Sequence, residues 1–106
     1  MYVNKTLALS YLAGSEIIFN KLKNSFLESY KNFKEDILSF YNTNNYQELY
    51  RYIHNIKGIS LNLGSRALYD DSILVLEEFK KDVYNLSNIE KLLNTLTIVY
   101  SELEKL

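Results

Sequence analysis

Three neighbouring residues carry the chemical potential of this chain. His54 is its only histidine, Lys57 lies three positions on, and Gly58 follows directly. A neutral imidazole is a good nucleophile near neutral pH and forms covalent intermediates. A lysine one helical turn further on sets a flexible point charge beside any anion attached to that ring. Glycine costs about 1 kcal/mol inside a helix relative to alanine, so Gly58 needs a reason to be there. Its missing side chain leaves a hollow through which another active site can approach. The trio therefore suits a histidine that receives a phosphoryl group from a second protein.

These residues act together only if they share one exposed helix face. At 100° per residue, Leu49, Ile53, Ile56, Ser60 and Leu63 gather opposite His54 and form a core stripe. Gln47, Tyr50, Gly58, Leu61 and Ser65 fall within about 40° of His54, with Lys57 about 60° to one side. His54 is thus expected to face solvent. Tyr50 and Leu61 would supply an apolar docking patch, with Gln47 and Ser65 as further partner contacts.

Apolar spacing predicts five helical segments that hold this face in place. A short first helix spans about 5–13 and stops at Gly14. Ser15 is a candidate N-cap for a second helix reaching Tyr41, with Leu22, Phe26, Tyr30, Phe33, Ile37 and Tyr41 on one side. Asn42 to Asn45 is a turn, and Asn45 with Glu48 resembles a capping arrangement for the third helix, which carries His54. Gly64 breaks that helix. Ser65 caps a fourth helix with Leu68, Ser72, Val75, Leu76 and Phe79 inward. A turn near Tyr84 leads to a capping box at Ser87–Glu90 and a fifth helix with Ile89, Leu92, Leu93, Leu96, Val99, Tyr100 and Leu103 inward. Short turns between long amphipathic helices imply antiparallel neighbours. The expected fold is all-α: an antiparallel up-down-up-down four-helix bundle with a short additional N-terminal helix, in one domain over 1–106.

Composition narrows the function classes. Twelve basic and thirteen acidic residues leave a net charge of −1, which is no electrostatic footprint for nucleic acid. No charge-free stretch approaches the roughly 20 residues of a membrane span, and no secretory leader pattern is present. Without cysteine there is no thiol or disulfide chemistry, and one histidine rules out a multi-histidine metal site within one chain. The three glycines are dispersed, so no phosphate-binding loop exists and no nucleotide is expected. A monomeric, cytoplasmic protein without nucleic-acid or membrane partners is the expectation.

The run His54-Asn55-Ile56-Lys57-Gly58, followed by Leu63-Gly64 and Leu68, resembles the signature of histidine-containing phosphotransfer (HPt) domains. That signature reads histidine, any residue, an aliphatic, lysine, glycine, then an aliphatic–glycine pair and a leucine four positions beyond. The polar turn at Asn45 and the pair Leu76-Glu77 also fit the family, and the resemblance covers about Ser15 to Leu106. Ile59 departs from it, standing where a small residue is frequent. It falls away from the His54 stripe and should affect packing instead of transfer. The resemblance implies that His54 takes a phosphoryl group from an aspartyl phosphate on the receiver domain of a hybrid histidine kinase. It then passes the group to an aspartate on a response regulator. Lys57 would stabilise the phosphate and Gly58 would keep access open. A carrier of this kind has no kinase or ATPase activity and no cofactor of its own, since magnesium sits on the partner receiver.

Two other classes compete. In an enzyme, His54 could serve as a general base with Asp70 or Asp71 from the next helix, although no nucleophile–base–orienter set can be assembled around them. In a non-catalytic adaptor, the bundle would bind receiver or kinase domains without phosphotransfer. Glu77-Glu78 and Lys80-Lys81 read as a solvated face.

Overall fold

Polar side chains set most of the helix starts. In the computed structural model, which describes all 106 residues, the chain is all-helical, with six α-helices and no strand. Asn4 accepts from the Leu7 N–H at 3.1 Å and opens α1 (Lys5–Tyr11). Ser15 accepts from the Ile18 N–H at 3.2 Å and opens α2 (Glu16–Ser29). The next helix, α3 (Phe33–Asn42), has no side-chain cap. Asn45 accepts from the Glu48 N–H at 3.4 Å and opens α4 (Tyr46–Ser60). A 3-10 turn, Leu61–Leu63, leads to Ser65, whose hydroxyl oxygen accepts from the Leu68 N–H at 3.1 Å and opens α5 (Arg66–Lys80). Finally Asn85 opens α6 (Leu86–Glu104). Each such cap contributes about 1 kcal/mol by satisfying an N–H that the helix leaves unpaired.

Three boundaries differ from the expectation. The single second helix is two helices, interrupted at Tyr30–Asn32. The Tyr100 hydroxyl from α6 donates to the Leu27 carbonyl at 2.5 Å, occupying the acceptor that Lys31 would use in an unbroken helix. The Phe33 N–H turns back to the Tyr30 carbonyl at 3.0 Å and restarts the chain as α3. The first helix ends at Tyr11, because Ala13 and Gly14 both take positive φ, 53° and 77°. The last helix is capped by Asn85 and not by Ser87: the Asn85 side-chain oxygen accepts from the Ser87 and Asn88 N–H groups at 2.9 and 3.4 Å.

The interior is one connected cluster of 20 buried apolar residues drawn from every helix. From α4 it takes Leu49, Ile53 and Ile56, and Leu63 of the 3-10 turn joins them. That helix packs against α5 and α3; α5 packs against α6; α6 also meets α2 and α3. The N-terminal helix and α2 close over the 3-10 turn. The chain start is tied down by the Glu102 carboxylate, which accepts from the Tyr2 and Val3 N–H groups at 3.2 and 2.9 Å. No helix is long and apolar enough to cross a membrane.

Candidate functional site

The buried stripe of α4 aims His54 outward. Leu49, Ile53, Ile56 and Ser60 are all fully buried, and Ser60 hides its hydroxyl by donating to the Ile56 carbonyl at 2.7 Å. With that face committed, helical rotation leaves His54 exposed. Its ring lies nearly parallel to that of Tyr50, one turn earlier, with centroids 6.0 Å apart and planes 20° from one another. This offset aromatic packing favours one ring orientation.

His54, Tyr50 and Lys57 share a hollow with Ile73, Leu76, Glu77 and Lys80 of α5. Its floor is aliphatic and its rim is charged. None of the ion pairs in the protein involves Lys57, Lys80 or Glu77. Arg51, which lines a second hollow beside His54 with Gln47 and Tyr50, is by contrast paired with Glu48. The histidine therefore sits beside two cations that hold no carboxylate. Gly58 is exposed, and a Cβ built there would meet nothing within 4 Å. Space above this turn is open.

Of the partner contacts expected from the helical wheel, Gln47 is exposed, and Tyr50 and Leu61 are partly exposed. Ser65 is not a surface residue. It is fully buried and spends its hydroxyl oxygen as the N-cap of α5. The wheel fails there because α4 ends at Ser60, and Gly64 with φ of 84° reverses the chain before Ser65. Ile59 is partly buried, away from His54, in a groove with Leu22, Phe26, Tyr30 and Leu63.

The solvated face expected of Glu77-Glu78 and Lys80-Lys81 holds for Glu77, Lys80 and Lys81, which are exposed, and fails for Glu78 alone. Glu78 is partly buried and accepts from the Asn88 amide at 2.8 Å. Glu77 and Lys80 line the His54 hollow. Their three-residue spacing on α5 was the available signal, but the facing of α5 toward α4 is a matter of packing. An adjoining aromatic hollow, formed by Tyr46, Gln47, Tyr50, Phe79 and Tyr84, was equally hidden. Tyr46 and Tyr84 stack there with centroids 3.8 Å apart and planes 7° from parallel.

Asp71 is turned to α6, where it accepts from the Thr95 hydroxyl at 2.6 Å and lies 3.5 Å from the Lys91 ammonium. Asp70 is exposed, and neither aspartate lines the His54 hollow. No three His, Asp or Glu side chains converge in a metal-binding group. Behind the site, the Tyr52 hydroxyl donates to Asp36 Oδ2 at 2.8 Å and joins α4 to α3. Burial, reinforced by this carboxylate, holds the Tyr52 phenol well above its ordinary range.

Comparison of the chain with protein-family models, with curated proteins and with solved structures finds no match.

Proposed function

We propose that the protein is a phosphoryl carrier that works through His54. The unprotonated ring nitrogen attacks the phosphorus of an aspartyl phosphate on a receiver domain. A nitrogen–phosphorus bond forms, the bond from phosphorus to the aspartyl oxygen breaks, and the carboxylate leaves with the electron pair. Reversal onto a second receiver's aspartate completes the relay. The chemistry asks little of the carrier beyond an exposed nucleophile, a positive environment and an open approach, because phosphoryl transfer depends mainly on positioning and charge.

One observation carries this reading. The only histidine is exposed in a hollow that also holds Lys57 and Lys80, both free of carboxylate partners, beside a glycine with open space above it. The similarity of residues 54–68 to the HPt signature supports the same conclusion. In this reading α2 with α3, α4, α5 and α6 form the up-down-up-down bundle, and α1 is an added piece. The contacts of α4 with α5, α5 with α6 and α3 with both α4 and α6 are compatible with that arrangement. The partners are then receiver domains in the cytoplasm, and the role is signal relay.

The test is transfer from a radiolabelled, phosphorylated receiver domain. Wild type should take up an acid-labile, base-stable label on His54, and His54→Gln should remain folded and take up none. Equal labelling of both proteins would overturn the proposal. Binding of the receiver without any labelling of wild type would make the protein an adaptor.

A further inference from the structure

The charged rim of the hollow comes from two helices, and the second supplies an unexpected residue. Lys80 closes α5, where a cation is favoured by the helix dipole whatever else it does. Lys81, its neighbour, could serve that end equally well. What separates the two is that Lys80 lines the His54 hollow and Lys81 does not. Phe79 shares the adjoining hollow with Tyr46, Gln47 and Tyr50, so the end of α5 lies beside the first half of α4. Lys80 thus reaches the hollow from the Tyr50 side, whereas Lys57 follows His54 on the Gly58 side. Neither lysine is held by an acid.

We infer that Lys80 is a second phosphate-binding residue, so that a phosphoryl group on His54 is held between cations from α4 and α5. This rests on the phosphotransfer reading of His54. A phosphoryl group brings a charge of about −1.5 to −2 and three acceptor oxygens. One lysine cannot neutralise it. Lys57 and Lys80 together can, while Glu77 at the same rim opposes it. The unmodified protein keeps two like charges unpaired at this spot, and phosphorylation relieves that arrangement. The modification should therefore stabilise the fold as well as carry the signal, since a group bound across two helices adds to their packing.

The experiment compares urea unfolding of the protein before and after phosphorylation of His54 with phosphoramidate, a small donor that needs no partner. The set comprises wild type, Lys80→Met, Lys80→Arg and Lys81→Met. Phosphorylation should raise the folding equilibrium constant of wild type about three- to fivefold more than that of Lys80→Met, the scale of one exposed ion pair. Lys80→Arg, which keeps the charge, and Lys81→Met should retain the wild-type increment. Each increment is read against the same protein's unmodified form, which removes whatever the substitution itself changes at the end of α5. An equal increment in wild type and Lys80→Met, with the label shown to be on His54, overturns the role of Lys80 and leaves the carrier reading standing. If wild type accepts no label on His54, from phosphoramidate or from a phosphorylated receiver, both fall together.

Discussion

The backbone of Asn4 occupies the place where a side chain on Gly64 would have to go. The Asn4 N–H donates to the Gly64 carbonyl at 2.8 Å, and a Cβ on Gly64 would collide with the Asn4 carbonyl. Gly64 also has φ of 84°, which L side chains rarely adopt. Two of the three glycines thus have opposite reasons to exist. Gly64 closes the end of the molecule where the chain start meets the 3-10 turn, and Gly58 borders the site.

Gly64→Ala should destabilise the protein by about 2–4 kcal/mol, combining backbone strain with the clash against main chain that cannot rotate away. Chemical denaturation measures this. A loss below about 1 kcal/mol would show that the N-terminal segment detaches at little cost.

Gly58→Gln should behave in the reverse manner. The added side chain meets open space, and glycine is the poorer helix former, so stability should be unchanged or up to about 1 kcal/mol higher. Transfer to His54 from a phosphorylated receiver should slow strongly, because the side chain stands in the approach path. A rapid-quench time course reads this, and an unaltered rate would remove Gly58 from the site.

Alkaline conditions should weaken the fold through Tyr52. Its phenol is raised first by burial and then by the hydrogen bond to Asp36, and Tyr30 is raised by burial alone. A raised folded-state value means that the folded protein holds its proton after the unfolded chain has released it. The stabilisation is therefore complete below pH about 10, the unfolded value, and is lost as pH rises beyond it. Denaturation midpoints measured across that range should fall. Tyr52→Phe should flatten the fall and lower stability at neutral pH by about 1–2 kcal/mol, from the lost bond to a charged acceptor. A midpoint independent of alkaline pH in wild type would contradict the argument.

Ser72 should be dispensable. It is fully buried on α5, and its hydroxyl is the one buried side-chain oxygen or nitrogen without a hydrogen-bond partner. An unsatisfied hydroxyl in an apolar interior is a cost that alanine removes. Ser72→Ala should leave stability equal or raise it by up to about 1 kcal/mol, as read by urea unfolding. A loss of more than about 1 kcal/mol would show that the hydroxyl has a partner in solution.

Much of this protein was legible in its residues because the relevant forces are local. Ser15, Asn45 and Ser65 cap helices with their own side chains, a matter of three or four residues. The burial of Leu49, Ile53 and Ile56 and the exposure of His54 follow from rotation within one helix, so the imidazole, Lys57 and Gly58 could be related to one another directly. The remainder depended on contacts between distant segments. Tyr100 and Leu27 accompany the division of one expected helix into two, and no periodicity within 16–41 contains that bond. Ser65 left the surface because a 3-10 turn and a positive-φ glycine reset the rotation that a continuous wheel assumes. Glu77 and Lys80 entered the site because the packing of α5 on α4 sets their register, and that register is determined by how two core stripes interlock, a property of neither helix alone.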